Sequence, residues 1–284
     1  MNMVRGVLVL LSLLGAGALA GPPTRLVSPV IVGYQDGSGG ELLGVWDGKR
    51  WLPLPAAAPK VKADARYQVQ GLSGGPVNVT GGPPVSYGAP CPESFSVAFK
   101  PGFGENVGTL AVLEGVQARP RPVTLLPTGS PLYRQVIRQE LQRRGLNNPV
   151  VNLVNVVRSD LDGDGHQEVI IEATRFARPE GDPLSPPVNA AAGDYSLLLL
   201  RSVVNGKLKT TVLGADVVLK AASDPELAPR LGLRESLEGV ADFNGDGRLE
   251  IVTSESYYEG TTYAAWTWTP GAGPKKVLES GCGV

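Results

Sequence analysis

Two short stretches of the chain carry enough side-chain oxygen, closely enough spaced, to hold a metal ion. Residues 160–168 read DLDGDGHQE and residues 242–250 read DFNGDGRLE. Both place an acid or amide at loop positions 1, 3, 5 and 9, and glycine at positions 4 and 6. Carboxylates packed this densely repel one another unless a hard cation lies among them. Calcium accepts such carboxylate, amide and carbonyl oxygens in a flexible shell of roughly six to eight. Magnesium fits less well, because it prefers fewer protein ligands and a stricter octahedron. A glycine at position 6 lets the chain turn sharply around an ion.

Other chemistry is poorly supplied. His166 is the only histidine and lies inside the first loop, which removes Ser-His-Asp and Cys-His catalysis and three-histidine zinc sites. A helical calcium hand needs a glutamate at position 12 and flanking helices. Position 12 is Ile171 in one loop and Thr253 in the other, and both flanks read as strand. The remaining carboxylate pair is Glu255 and Glu259, beside Tyr257 and Tyr258, which in principle suits glycoside hydrolysis. Trp266 and Trp268 alternate on one face of a strand, and Trp46 and Trp51 flank a hairpin. Core packing or cross-strand pairing accounts for such rings, and a sugar-stacking platform is the sharper alternative.

The two loops resemble the D-x-D-x-D-G-x-x-[DE] loop that joins two strands in FG-GAP and VCBS-type repeats, the blades of integrin-α-like propellers. The resemblance covers two segments in the C-terminal half. It implies two calcium ions. In the first loop it implies side-chain ligation by Asp160, Asp162, Asp164 and Glu168, with His166 contributing its backbone carbonyl. In the second it implies Asp242, Asn244, Asp246 and Glu250, with the Arg248 carbonyl. The first loop carries four formal negatives and the second three, since Asn244 replaces an acid. Tighter binding is therefore expected at the first.

The elements that must position these loops are mostly strands. High glycine (37) and proline (25) content favours short strands and turns over long helices. The fold class expected is mainly β: repeated four-stranded antiparallel units, propeller-like or an irregular β-sandwich, with one amphipathic helix near 131–144. Ser130, Pro131 and Gly145 suit the two ends of that helix, and Tyr133, Val136, Ile137 and Leu141 share a face. Arg134, Arg138, Arg143 and Arg144 read as a solvated face. After the helix the order strand, acidic loop, strand, strand, turn, strand occurs twice, with first aspartates 82 residues apart. Asn205-Gly206 signals a type I′ hairpin. Residues 41–54 resemble the closing hairpin of a further unit without a loop. Three regions follow: a signal peptide over 1–20, an N-terminal β-rich region over 21–128, and the helix with two calcium-loop repeats over 129–284.

The signal peptide reading rests on Arg5, an apolar run over residues 7–14 and an Ala-x-Ala site ending at Ala20. Cys91 and Cys282 are the only cysteines, and an even pair in an oxidising compartment usually bonds. Closing that loop would stabilise by roughly 4–5 kcal/mol in the chain-entropy model. Net charge is −1 with no basic block, which argues against nucleic acid, and no membrane span is expected after signal removal. The expected protein is thus secreted, periplasmic or at the cell surface. It binds calcium for stability and acts in binding or structure toward an unknown protein or glycan, rather than as an enzyme. The alternative is a carbohydrate-binding module or glycoside hydrolase using the strands near 255–268. A periplasmic assembly or adhesion factor is a third class.

Overall fold

Antiparallel strands dominate the computed structural model, which describes residues 27–103, 109–179, 181–226 and 228–283. The expected signal peptide lies outside the described residues. The N-terminal region contributes β1 (Ser28–Gly33), β2 (Gly39–Trp46), β3 (Trp51–Pro53), β4 (Ala65–Gly71), β5 (Val77–Gly81), β6 (Val85–Ser86), β7 (Phe95–Lys100) and β8 (Thr109–Leu113). Six of these close on themselves in the order β2-β1-β8-β4-β5-β7, because β2 pairs with both β1 and β7. Closure removes exposed strand edges, and β3 and β6 extend the sheet beside it.

Glycine permits that closure. Gly40 faces Gly33 in β1 and Val97 in β7, and a Cβ there would stand 2.5 Å from the Val32 carbonyl oxygen. Side-chain alternation then buries both surfaces of β1. Ile31 points into the barrel with Tyr67, Val97 and Phe99, while Val30 and Val32 point outward. The stretch 41–54, expected as the closing hairpin of a further repeat, forms the β2–β3 hairpin, with β2 in the closed barrel and β3 beside it.

Two more sheets follow. The first contains β9 (Thr124–Leu125), β10 (Leu153–Ser159), β11 (Glu168–Arg175), β12 (Tyr195–Val204) and β13 (Lys207–Val217). The second contains β14 (Arg234–Ala241), β15 (Glu250–Tyr257), β16 (Gly260–Thr269) and β17 (Gly273–Cys282). Strands β10 to β13 and β14 to β17 pair in the same sequential order, with an acidic loop at the first hairpin of each. Asn205 and Gly206 both have positive φ, 52° and 71°, as a type I′ turn requires.

These sheets stack face to face in layers. Outward Val30, Val32 and Leu110 of the barrel meet Val252, Ala265 and Leu278 of the β14–β17 sheet. On that sheet's other face, Val240, Ile251 and Trp268 meet Ile170, Leu198 and Leu200 of the β9–β13 sheet. Helix α1 (Pro131–Arg143) covers the last open face with Val136, Ile137 and Leu141 against Ile171, Leu197 and Leu199. Each such fully buried side chain stabilises by about 1.5–3 kcal/mol, so both sheets are fixed on both faces. Pro131 occupies the first turn, but Ser130 makes no side-chain cap hydrogen bond. The arginine face is more engaged than expected. Arg143 and Arg144 pair with buried Glu140 at 2.7 and 3.0 Å, and Arg134 Nη1 donates to the Val151 carbonyl.

Cys91 and Cys282 form a disulfide with Cα atoms 5.7 Å apart, tying the β6–β7 loop to the end of β17. Ser94 Oγ, beside it, donates to the Gly281 carbonyl at 2.6 Å. The bridge closes a sequence separation of 191 residues, worth about 5 kcal/mol in the chain-entropy model. Among the described residues, no helix is long and apolar enough to cross a membrane.

Candidate metal site

Both acidic loops fold onto the same backbone frame. The position 1 carboxylate gathers the chain behind it: Asp160 accepts from the Gly163 and Gly165 N–H groups at 2.7 and 3.1 Å. Asp242 accepts from Gly245 and Gly247 at 2.7 and 2.8 Å. The position 9 glutamate reaches back to position 2, with Glu168 accepting from Leu161 N–H and Glu250 from Phe243 N–H, each at 2.9 Å. Asp162 and Asn244 accept from the N–H two residues on, as do Asp164 and Asp246. The glycines at positions 4 and 6 all have φ between 74° and 88°, the left-handed region that side chains with a Cβ resist.

In the first loop this frame gathers oxygen ligands. The carboxylate oxygens of Asp160, Asp162 and Glu168 lie within 4.8 Å of one another, close enough to hold one metal ion. Asp164 stays outside that group; it is exposed and takes the His166 N–H. The His166 side chain is exposed. Burial, joined by the repulsion of Asp162, Asp164 and Asp160, pushes Glu168 up to about 7 despite its bond from Leu161. Burial raises Asp162 as well. Such shifts mark carboxylates that lack a counter-charge.

The second loop brings Asp242, Asn244, Asp246 and Glu250 together differently. The Asn244 amide nitrogen lies 3.2 Å from both Asp246 Oδ2 and Glu250 Oε1. Burial pushes Glu250 up to about 8, with Asp246 and Asp242 adding to it, and burial raises Asp242 too. A cation seated here needs the amide oxygen turned inward, an exchange open to any asparagine. The Arg248 side chain is exposed, and the Arg248 backbone N–H donates to Asp246.

The two loops touch. Leu249 N–H, at position 8 of the second, donates to the carbonyl of Leu161, at position 2 of the first, at 2.8 Å. Apolar anchors hold both in place: Leu161 in the core between the two sheets, and Phe243 in the core against the barrel. The segment leaving the barrel runs across both loops. Asp242 N–H donates to the Ala118 carbonyl, and Arg119 Nη2 reaches the Gly71 carbonyl at 2.8 Å. Arg121 donates to the Asp160 and Leu161 carbonyls, with its Nε 3.8 Å from Asp160 Oδ2. Sequence reading missed Arg121; its only signal was a cation in a proline-punctuated linker.

Of the residues considered for sugar chemistry, Tyr257 and Tyr258 pack edge to face with ring centroids 5.6 Å apart. Trp268 is buried, and Trp266 is half-buried with its Nε1 donating to Thr253 Oγ1. Trp46 and Trp51 face each other across the β2–β3 pair, with centroids 5.2 Å apart. Glu255 and Glu259 are both exposed. Glu255 stands directly across from Glu235, which burial and the Glu255 charge push up to about 8. That pair was not anticipated, because strand register sets it.

Comparison with protein-family models, with curated proteins and with solved structures returned no match.

Proposed function

We propose that the chain is an exported calcium-binding β protein of the FG-GAP/VCBS type, with a binding or structural role outside the cytoplasm. In this reading each acidic loop holds one calcium ion, and the β10–β13 and β14–β17 sheets correspond to two blades. The ions act on architecture rather than chemistry. They neutralise Asp160, Asp162 and Glu168 in one loop, and Asp242, Asp246 and Glu250 in the other. They thereby hold the seam where the two sheets meet the segment leaving the barrel. The observation that carries the reading is the shared frame: two loops with matching hydrogen bonds, joined by Leu249 and Leu161, under one linker. The oxygen-only donor set suits calcium over softer metals. The disulfide supports an oxidising compartment.

Thermal unfolding in calcium and in excess chelator tests this. Occupation at about 100 times Kd stabilises by about 2.7 kcal/mol per site, or roughly 5–10 °C for a chain of this size. An unchanged midpoint, or an equal rise with magnesium, sinks the proposal.

A further inference from the structure

Between the β9–β13 and β14–β17 sheets, away from the acidic loops, a polar pocket holds two buried atoms that the metal reading does not use. Glu172 on β11 is 1% exposed. Its Oε2 accepts from Asn155 Nδ2 at 2.9 Å and, across the gap between the sheets, from the Leu237 N–H at 3.4 Å. Leu237 lies at the bulge in β14, where the register slips before Gly239. The other oxygen, Oε1, has no hydrogen-bond partner, and neither has Arg234 Nε. Arg234 Nη2 stands 3.7 Å from Oε1, too far for a hydrogen bond, so the ion pair satisfies neither atom. A buried acceptor and a buried donor left open side by side are costly, and the arrangement points to a missing partner that meets both.

Glu172 and Arg234 line one cavity of about 150 Å³. That is several times the roughly 30 Å³ that one water occupies in the liquid, so a single water does not fill it. Hydroxyls supply much of the remaining wall. Ser254 is fixed there by its bond to Glu238 Oε1 at 2.5 Å, and Ser256 and Thr261 stand directly opposite each other across β15 and β16. Thr261 is half-buried and also borders a wider cavity of about 360 Å³ beside the exposed Tyr87, so the pocket is not sealed from the surface.

The two open atoms narrow the ligand. It must donate to Glu172 Oε1 and accept from Arg234 Nε, and the 3.7 Å approach of the guanidinium brings both needs within reach of one atom. An ammonium or a metal ion cannot accept from Arg234, and a carboxylate or phosphate cannot donate to Glu172. A hydroxyl does both at a single oxygen. The hydroxyl-rich wall offers partners to several more on the same ligand, and rings that fix their hydroxyls in advance lose less freedom on binding. We propose that this pocket binds one sugar residue, with one hydroxyl seated between Glu172 Oε1 and Arg234 Nε and others against Ser254, Ser256 and Thr261. The site shares no residue with either acidic loop, so it stands or falls apart from the calcium reading.

Calorimetric titration of the calcium-loaded full chain with glucose, galactose, mannose and their methyl glycosides tests it, with tetrahydropyran and acetamide as controls. At least one sugar is expected to bind at about 1 mM or tighter, and neither control to bind. Binding of a methyl glycoside identifies the end of a glycan as the source, and binding of the free sugars alone identifies a monosaccharide; either supports the site. Glu172→Gln and Arg234→Lys keep the size or charge of the side chain but remove the acceptor or the Nε donor. Each should weaken the bound sugar at least about tenfold, since hydrogen bonds to charged groups are the strong ones. Circular dichroism of each variant separates unfolding from lost binding, and a crystal structure of the unaltered chain with the bound sugar needs no variant. No binding by any sugar overturns the proposal. So does a control matching the sugars, unchanged affinity in either folded variant, or a crystal structure with only water between Glu172 and Arg234.

Discussion

The two acidic loops share a frame and differ in what opposes their charge. In the first, three carboxylates converge and, among the described residues, the one ion pair to them is from Arg121, 3.8 Å from Asp160. In the second, the Asn244 amide sits among the acids and donates to Asp246 and Glu250. One loop is thus left with unrelieved repulsion, while the other relieves part of its own. Since the backbone hydrogen bonds match, the side chain at position 3 and the outside cation carry the difference. Among the described residues, geometry brings three carboxylates to one point only in the first loop, and the second has an amide nitrogen among its acids instead.

The largest test strikes the shared frame. In calcium-loaded protein, Asp160→Ala and Asp242→Ala each strip two backbone N–H groups of their acceptor and remove a ligand. Each is expected to cost about 2–5 kcal/mol by chemical denaturation. A cost at only one loop would break the equivalence of the two frames.

Acidity separates the loops next. A carboxyl held above its usual range adds stability below its unfolded value near 4.5, and that contribution is lost as pH rises through the folded value. Metal-free protein should therefore lose stability as pH rises through about 7 for Glu168 and about 8 for Glu250. Metal-loaded protein should show the opposite trend, because protons compete with calcium for those oxygens. Between pH 8 and pH 6, single-proton competition weakens the first site roughly 10-fold and the second roughly 50-fold. Calorimetry on the two single-loop variants reads each site alone, and equal losses would erase the distinction.

Exchanging the position 3 residues sharpens the charge argument. Asn244→Asp is expected to tighten the second site about tenfold, and Asp162→Asn to weaken the first by a similar factor. If the unaltered second loop already binds calcium more tightly, the charge argument fails.

The smallest effect belongs to Arg121. Replacing it with Gln removes a cation near Asp160, so first-site affinity should rise about two- to threefold at low salt, and the second should stay unchanged. A matching change at the second loop would show that the Leu249–Leu161 contact transmits between them.

Much of the loops was legible because their geometry is local. Every hydrogen bond within each frame spans at most 7 residues, so spacing alone implied it. The β11 and β15 strands leaving the loops, the β12–β13 turn and helix α1 were legible for a related reason: period and turn chemistry belong to short windows. The barrel was not, since its closure depends on Gly40 meeting Val97, and strand pairing at that separation leaves no local pattern. The buried acids Glu41 and Glu172 were hidden in plain runs of strand. Glu41 in GELLGVW and Glu172 in EVIIEATR stood out only as single charges within apolar text.

What the sequence determined by itself, then, is the pair of oxygen-rich loops, the strand order around them and the two cysteines able to pair. Tertiary structure decided the rest. It seated one linker on both loops, set Glu235 against Glu255, buried Trp268 in a core and brought Glu41 to Ser280 across 239 residues. Loop closure over such distances is driven by burying whole sheet faces, a property of the packed ensemble of strands and of no single stretch.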